Sequence, residues 1–568
     1  ISIWCLAAQR KGMVISMKRT FSAILCAMLL MGTMTACGGG GNESSAAANN
    51  GGDGTSANAE AELPESIDVS VYMPIFNETP PETTLVGQKW TEMMEDYLGV
   101  QLNIDWQEVA YSDYLQKMSI YLAAGDWADV FTYTGTGVTK DQLMEYGQTG
   151  MVLCLDDYAD YTPNLNKYYE EGNNRKNTEC SDGKVYFMPG LGISPYTGGG
   201  QCCFAIRWDA YEANGMDIPQ TLDDVYEDAK KFKELYPNSY PVSTTRDLLT
   251  MMYSLNNTSN QIYYDGEKYA YGPTDGGKLK GIVEWLAKMY AEGLLDPEYA
   301  TQTGEMLYEK CLNDKAFISP WLYALEITDN INAASGDVEW AEIPMPTGTE
   351  GDTPWIVWPL REGNTLDGGT GIAINAKTEY PELMVKMLDY QLSDEMIELC
   401  TWGVEGETFT LDENGEHQYI EEISSAANPQ TVMAEYGLYG SMACRPGIAF
   451  MPDSKGNYFQ IFPKMPSWNG TELINVNSWE FFTMMHDAGI NVAAPEAPSI
   501  SFTVDESAQM SETMTTVNTF VDENIAKFIA GERPMSEWDA FVDEIAGYGD
   551  YQSILDMYNQ KLEEFNAE

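Results

Sequence analysis

Hydrophobic and polar residues alternate along the segment IDVSVYM, from Ile67 to Met73, and this period of two predicts a first β-strand. Large apolar residues then recur at helical spacing from Leu85 to Tyr97, and Gly99 marks the end of this helix. The following segments predict a strand (QLNIDWQEV), a helix (YSDYLQKMSIYLAAG) and a short buried strand (ADVFTYT). Strands that alternate with helices are typical of a parallel sheet covered by helices on both faces. The pattern therefore predicts an α/β fold.

The same alternation continues through the middle of the chain. Strands are predicted in GKVYFMPG, CCFAIR, AFIS and GIAIN, and helices in WDAYEANG, KLKGIVEWLAKMYAEG and PELMVKMLDYQ. In another predicted helix, Thr221 is expected to cap the first turn with Asp224 three residues on, and Val225, Ala229 and Phe232 share one face. In the C-terminal part of the chain, apolar residues recur at intervals of three and four residues, which predicts long helices there.

The first part of the chain has a different pattern. Two basic residues precede an uncharged, mostly apolar run at 21–36, whose sixteen residues fall short of the ~20 that a membrane-spanning helix needs. A basic start, a short apolar run and small residues before a break predict a secretory signal peptide. We expect Met17 to be the true start and residues 1–16 to be upstream sequence, so that 1–36 are absent from the mature protein.

The signal ends at Met34-Thr35-Ala36-Cys37, which resembles a bacterial lipobox, where cleavage precedes the cysteine and its thiol is acylated. The Gly/Ser/Asn/Ala-rich segment that follows lacks bulky apolar residues, so we expect a flexible tether. Residues 37–63 would thus be a lipidated Cys37 with its tether, holding a body that begins at residue 64. An ordinary signal peptide followed by a chance cysteine is the alternative.

Charge and composition narrow the possible functions. The 568 residues include 87 acidic and 31 basic residues, for a net charge of −56, and such a surface repels nucleic acid and anionic membranes. The only histidines are His417 and His486, which argues against histidine-dependent triads and histidine-rich metal sites. The sequence has no P-loop, no GxGxxG motif after a strand and no EF-hand spacing, so we expect neither a cofactor nor a metal.

Seven cysteines lie beyond the tether, an odd number without any CxxC pair. A disulfide framework usually has an even number of cysteines, and a zinc site needs closer spacing. We therefore expect buried free thiols, and one or two disulfide bonds are the open alternative. The seven are Cys154, Cys180, Cys202, Cys203, Cys311, Cys400 and Cys444.

Several segments together resemble a known family. IYLAAGDWADVF, GKVYFMPG, RWDAYEANGMDIPQTLDDVYEDAKKFKE, WLAKMYAEGLLDP, GIAINAKTEYPELMVKMLDY, WGVEGETF and NIAKFIAGERPMSEWDAFVDEI occur in this order within the part of the chain that follows residue 66. Behind a lipobox and a tether, this series is similar to the family 1 extracellular solute-binding lipoproteins of carbohydrate ABC importers, in the longer, Gram-positive LipO-like branch.

The resemblance implies a type II periplasmic-binding-protein-like fold, which is α/β and has two lobes joined by crossover strands with a ligand cleft between them. The N-terminal lobe would comprise residues 64–195 with 372–400. The C-terminal lobe would comprise 200–368 with 402–568, including the helical C-terminus.

The resemblance also implies where the chain passes between the lobes. It would cross near Gly190–Gly200, return near Gly368–Gly371 and cross again around Thr401–Gly406. Glycines at these positions suit a hinge, because they absorb backbone rotation at low cost.

A sugar site needs aromatic rings that stack on C–H faces and polar groups that bind hydroxyls. Ligands of parallel sheets bind beyond the carboxyl ends of the strands, which makes Tyr133 and Thr134 candidates at the end of a predicted strand. Trp321 follows the predicted strand AFIS, and the resemblance implies a stacking tryptophan after this strand. Trp402 and Glu405 lie in a glycine-flanked loop near the third predicted crossing, where Glu405 would accept a hydroxyl or, alternatively, cap a backbone N–H.

The further candidates are Tyr196, Tyr240, Thr244, Thr245 and Arg207. Tyr196 follows the first predicted crossing, and the next three lie in the loop NSYPVSTTRD, which faces the ligand in similar proteins. Arg207 follows a predicted strand, and an internal salt bridge to Asp209 is as reasonable for it as ligand contact.

The resemblance implies a binding protein without catalysis, which captures an oligosaccharide and delivers it to the permease subunits of an ABC importer. We expect a monomer at the extracellular face of the cytoplasmic membrane, held there by its lipid alone. A lipoprotein that binds a peptide or another solute is one alternative. A surface glycoside hydrolase is another, because it needs only two suitably spaced carboxylates and the 87 acidic residues supply many.

Overall fold

The computed structural model of the protein describes residues 63–567 apart from 76–79, 135–138, 193–201, 324–330, 333–337, 350, 357–364, 427–428 and 439–463. Residues from Glu65 onward form one compact unit. In the described part of the chain, no helix is both long enough and apolar enough to cross a membrane.

The strands, in chain order, are β1 (Ser66–Ile75), β2 (Gln101–Ala110), β3 (Val130–Thr134), β4 (Met188–Gly192), β5 (Cys202–Arg207), β6 (Ile262–Tyr264), β7 (Tyr269–Tyr271), β8 (Ile318–Tyr323), β9 (Trp340–Ile343), β10 (Trp355–Ile356), β11 (Thr365–Ile374), β12 (Phe409–Leu411), β13 (His417–Tyr419), β14 (Met465–Trp468), β15 (Leu473–Val476) and β16 (Val492–Ala493).

The α-helices are α1 (Leu85–Leu98), α2 (Tyr111–Ala124), α3 (Lys140–Gln148), α4 (Pro163–Tyr169), α5 (Asn174–Thr178), α6 (Trp208–Ala213), α7 (Leu222–Leu235), α8 (Arg246–Met251), α9 (Lys278–Ala291), α10 (Gly304–Leu312), α11 (Pro381–Tyr390), α12 (Asp394–Trp402), α13 (Glu421–Ser424), α14 (Pro429–Tyr436), α15 (Ser478–Asp487), α16 (Val504–Ile529), α17 (Trp538–Ile545) and α18 (Tyr551–Ala567).

Helix α7 shows the local features that the sequence predicts. The Thr221 hydroxyl accepts the backbone N–H of Asp224 at 3.1 Å, and the Asp224 carboxylate accepts that of Thr221 at 3.0 Å, which starts α7 with a reciprocal cap. Val225, Ala229 and Phe232 on the inner face of α7 are fully buried. The predicted helix is therefore confirmed in its cap and in its buried face.

The first sheet has the strand order β2-β1-β3-β11-β4. β1 pairs in parallel with β2 along its whole length, and β3 is parallel to β1. β11 runs antiparallel to both β3 and β4. The predicted parallel unit of three strands is therefore confirmed, and the carboxyl ends of β1, β2 and β3 lie at one edge of this sheet.

The second sheet has the strand order β15-β14-β9-β5-β8. Its strand β5 is antiparallel to both neighbours, β8 and β9, and β14 is parallel to β9. Because β5 and β8 run in opposite directions, their carboxyl ends lie at opposite edges of the sheet.

Each sheet has its own hydrophobic core. The first core draws on residues 67–191 and 366–438, and the second on 204–345 and 465–545. Each fully buried large side chain, such as Phe131 in the first core or Phe232 in the second, contributes about 1.5–3 kcal/mol to stability. The chain therefore has two α/β lobes, as the resemblance implied.

The structure differs from the predicted lobe boundaries after residue 400. The prediction assigns 402–568 to the C-terminal lobe, but Trp402 and the apolar residues up to Leu438 pack in the first core. Instead of crossing at Thr401–Gly406, the chain turns back through the hairpin β12–β13, whose inner side chains cover this core. It joins the second sheet again only at β14, after 439–463, which lie outside the described residues.

The other two predicted crossings involve β4, β5 and β11. The chain leaves the first sheet after β4 and enters the second at β5, and residues 193–201 between them lie outside the described part. On the return, Thr365 of β11 lies opposite Gly192 of β4. The pairing of these strands shifts register between Asp367 and Gly371, at the glycines of the predicted return.

Of the seven cysteines beyond the tether, Cys154, Cys180 and Cys311 are free thiols, as expected. Burial raises the pKa of Cys180 and Cys311 well above that of an ordinary thiol, so both stay protonated at neutral pH. Cys400 is also buried. The side chains of Cys202, Cys203 and Cys444 lie outside the described part of the chain.

Candidate functional site

The carboxyl end of β8 and the extended segment beside it bring several predicted residues together. The backbone N–H of Ser243 donates to the carbonyl of Ile318 at 3.1 Å, which aligns the two segments in parallel. One residue further on, the Thr244 hydroxyl lies 3.4 Å from the Pro320 carbonyl. Trp321 follows directly in β8. The predicted tryptophan and the predicted threonine therefore belong to one edge of the second sheet.

The two threonines have different surroundings at this edge. Thr244 is fully buried, so its hydroxyl holds the segment against β8 rather than facing solvent. Thr245 is partly exposed and precedes α8 without capping that helix through its side chain. Of the two residues, Thr245 is the one with surface exposed to solvent.

A buried polar network fixes the backbone of this segment. The carboxylate of Asp296 is fully buried and accepts hydrogen bonds from the Ser243 hydroxyl at 2.7 Å and from Nζ of Lys310 at 2.6 Å. Gln302 accepts from Nζ of Lys310 at 2.8 Å and donates to the carbonyl of Thr244. Burial alone would lower the pKa of Lys310, but its hydrogen bonds to carboxylates raise it above the usual value.

Tyr240 and Arg207 lie at the opposite edge of the second sheet. The backbone N–H of Tyr240 donates to the carbonyl of Lys315, just before β8 begins. Four residues of extended backbone, about 13 Å, separate Tyr240 from Thr244. Arg207 is the last residue of β5, which runs against β8. The structure therefore separates these two candidates from Trp321, because strand direction decides the edge at which each residue lies.

The side chain of Arg207 is committed to internal ion pairs. Its Nη2 lies 3.2 Å from the Asp209 carboxylate, its Nη1 pairs with Asp314, and its guanidinium lies 5.6 Å from the ring centre of Phe317. Only 8 % of the residue is exposed. The internal salt bridge, the alternative considered for Arg207, is the arrangement that the structure contains.

Trp402 is a core residue of the first lobe. It is 2 % exposed, and its ring stacks on His417 at 4.9 Å and lies 4.5 Å from the ring of Tyr419. The hairpin β12–β13 folds back over α12 and covers the ring, so it offers no open face to a sugar. Glu405 is exposed in the turn between them, and its backbone bridges to Phe409.

The carboxyl edge of the first sheet holds the other strand-end candidates. Tyr133 pairs with Gly371 and Thr134 with Thr370, so both belong to the last residues of β3 beside β11. They lie at the carboxyl edge of the sheet, where the predicted position put them. Tyr196, in 193–201, lies outside the described residues.

Glu108 is a residue at this edge that the sequence reasoning missed. It lies near the carboxyl end of β2, opposite Met73 of β1, and follows Leu102, Ile104 and Trp106 on the apolar face of its strand. Its Oε1 is buried and has no hydrogen-bond partner among the described residues. Burial raises the pKa of Glu108 to about 7, and the negative charge of Glu82 adds to this effect. A carboxyl group on the apolar face of an alternating strand was the available signal.

The amino edge of the first sheet has a separate, open groove of about 540 Å³. Asp68, Asp105 and Asp129 line it together with Ser70. Asp129 is already bonded, because it accepts from both the backbone N–H and the hydroxyl of Ser70 at 2.8 and 2.7 Å. In the part of the chain that the structure describes, no group of three or more His, Cys, Asp or Glu side chains is arranged to hold a metal ion.

Comparisons with known proteins agree with this architecture. The family model for "Bacterial extracellular solute-binding protein" matches residues 80–398. The polygalacturonan/rhamnogalacturonan-binding protein YtcQ of Bacillus subtilis is 23% identical over 382 residues, which cover 64% of this chain and 70% of YtcQ. The lipoprotein LipO of the same organism is 26% identical over 265 residues, 44% of this chain and 49% of LipO.

A solved structure extends the likeness to nearly the whole body. The crystal structure of the alginate-binding protein AlgQ2 without calcium ion has a TM-score of 0.65 and 19% identity to this chain. The superposition covers 88% of this chain and 98% of AlgQ2. At this identity the likeness concerns the fold, which is two-lobed in both proteins.

Proposed function

The chain belongs to the family of bacterial extracellular solute-binding proteins, and from this premise we propose that it captures an oligosaccharide between its lobes and delivers it to the permease of an ABC importer. The name of YtcQ states that it binds polygalacturonan and rhamnogalacturonan, so a saccharide is the ligand class that this relative supports. Binding drives closure of the lobes to the extent that the closed state holds the ligand more tightly.

The observation that carries the proposal is the edge of the second sheet where the second half of β8, which contains Trp321, lies against the segment of Thr244 and Thr245. A tryptophan and a partly exposed threonine in neighbouring segments supply the two residue types that a sugar ring requires, one with a surface for its C–H face and one with a partner for its hydroxyls. The buried network around Asp296 keeps the backbone of this edge in position without help from a ligand. We propose Tyr133, Thr134 and Tyr196 as contacts from the other side of the cleft.

We further propose that the protein is a monomer tethered to the outer face of the membrane through a lipid on Cys37. The lipobox-like motif and the Gly/Ser/Asn/Ala-rich composition of the segment after it support this anchor. A tethered receptor stays close to its permease, which raises the effective concentration of captured ligand there. Loss of membrane association in Cys37→Ala, measured by detergent partition of labelled cells, is the direct check on the anchor.

A thermal-shift screen of the body from Glu65 onward, which contains both hydrophobic cores, tests the capture of saccharides. The panel contains neutral oligosaccharides derived from galactan, xylan, glucan and fructan, and acidic ones derived from polygalacturonan and alginate. A ligand at 100 times its Kd adds about 2.7 kcal/mol to the stability, or roughly 2–4 °C in Tm. We expect such a shift with one glycan class.

The same samples separate binding from its alternatives. Recovery of the bound glycan uncleaved supports a receptor, whereas shortened products indicate a glycoside hydrolase. A flat response to the glycan panel together with a shift on a peptide library contradicts the proposal in favour of a peptide-binding lipoprotein.

A further inference from the structure

Glu108 combines three properties that rarely occur together in a residue of purely structural role. Its Oε1 is buried and unpartnered among the described residues, although buried carboxylate oxygens normally accept hydrogen bonds. No cation pairs with it in the described part of the chain, and the charge that acts on it, from Glu82, has the same sign. The apolar face on which it lies would accept a Leu or Ile at no such cost.

The position of Glu108 explains why this arrangement is tolerated. It lies two residues before the end of β2, at the edge where β1 and β3 also end. Ligands of parallel α/β sheets bind at this edge. Among the described residues no donor reaches Oε1 of Glu108, so a hydrogen-bond donor that enters this edge would satisfy it.

We propose that Glu108 contacts the bound saccharide, accepts a hydrogen bond from one of its hydroxyls, and makes the site select a neutral sugar unit at this position. This inference rests on the proposed function and adds to it the class of the sugar. A hydroxyl satisfies Oε1 directly, and a hydrogen bond to a charged acceptor is stronger than one between neutral groups. A uronate carboxylate at the same place would meet a like charge.

The raised pKa of Glu108 agrees with this role. At pH 8 the carboxyl is mostly ionised, since burial and Glu82 hold its pKa at about 7. The neighbours on its own strand and on β1, Trp106 and Met73, carry no charge that would neutralise it. The test is therefore made at pH 8, where the proposed selection against uronates is strongest.

The experiment measures affinities of the wild-type body and of Glu108→Gln, by calorimetric titration, for the members of the neutral and acidic panel. Gln has nearly the same shape as Glu but no charge. We expect the variant to bind the best neutral oligosaccharide at least about tenfold more weakly and to bind acidic oligosaccharides no worse than wild type. The readout is the ratio of the affinities for neutral and acidic oligosaccharides. A substitution that only disturbed the structure would leave this ratio unchanged.

Glu92→Gln is the matched control, because it removes the same charge from α1, where Glu92 is solvent-exposed and pairs with Lys89 at 3.0 Å. It should leave both affinities unchanged. Unchanged neutral binding in Glu108→Gln, or a wild-type protein that binds only acidic oligosaccharides, overturns this inference and leaves the proposed function standing. A wild-type protein that binds no oligosaccharide overturns both.

Discussion

Two carboxyl groups, one in each lobe, have opposite surroundings. Asp296 in the second lobe is fully buried and accepts hydrogen bonds from Ser243 and from Lys310, so its charge is neutralised inside the protein. Glu108 in the first lobe has a buried oxygen without a partner in the described residues and experiences only the like charge of Glu82. The first group has its partners inside the protein, and the second has an oxygen without one among the described residues.

The difference separates two uses of a buried charge. A fully satisfied network is rigid, and around Asp296 it holds the segment that carries Thr244 and Thr245 against β8. An unsatisfied group costs stability, and a protein retains it where another requirement outweighs that cost. The comparison therefore predicts that disruption of the second-lobe network mainly lowers stability, whereas changes at Glu108 mainly alter binding.

Lys310→Met should produce the largest effect, because it makes Asp296 resemble Glu108 by removing its cation. A buried charge that loses its partner typically costs about 3–5 kcal/mol. We expect a loss of this size in the free energy of unfolding, measured by urea titration. Lys230→Met, at an exposed pair with Glu227, is the control and should leave stability unchanged. Equal behaviour of the two variants would contradict the role given to the network.

Ser243→Ala should have an intermediate effect. It removes one of three hydrogen bonds that the Asp296 carboxylate accepts, from Ser243, Lys310 and the backbone N–H of Glu298, but keeps Lys310 in place. The expected loss is about 1.5–3 kcal/mol, since the acceptor is charged and buried. Thermal unfolding of both variants checks this order, and we expect a smaller decrease in Tm for Ser243→Ala than for Lys310→Met. The reverse order would indicate that the hydroxyl, rather than the ammonium, neutralises the site.

The smallest effect on stability is expected for Glu108→Gln, and its size depends on pH. The pKa of Glu108 is raised from 4.5 to about 7 in the folded protein, so between these values the native state keeps a proton that the unfolded chain has released. Stability of the wild type therefore falls as the pH rises through this window and stays level above it.

The Gln variant lacks this dependence. Between pH 4.5 and 8, we expect its free energy of unfolding to rise above that of the wild type by about 1–2 kcal/mol. This figure is smaller than the pKa shift alone would give, because solvent reaches the partly exposed carboxyl. Urea titrations at several pH values, with Glu92→Gln as reference, measure the difference. Parallel curves for the wild type and Glu108→Gln would show that the pKa is not raised.

The sequence alone determined the elements whose signals are local. The cap of α7 at Thr221 and Asp224, its buried face, and the alternation of strands and helices in the first sheet follow from spacing along a few residues. These features depend on neighbours in the chain, so periodicity and capping chemistry were sufficient to predict them. The position of Tyr133 at the end of β3 was predictable for the same reason, whereas the prediction for Trp321 was wrong by two residues, since β8 continues past it to Tyr323.

Only the tertiary structure decided which strand ends meet. Arg207 lies at the edge opposite Trp321 because β5 pairs antiparallel with β8. Tyr240 lies there because it pairs with Lys315 at the start of a segment that runs parallel to β8. No local pattern encodes either pairing. Trp402 is buried because a hairpin from later in the chain packs over it. That Oε1 of Glu108 has no partner among the described residues likewise depends on every element packed around it, since hydrogen-bond satisfaction is a property of the assembled fold rather than of its segments.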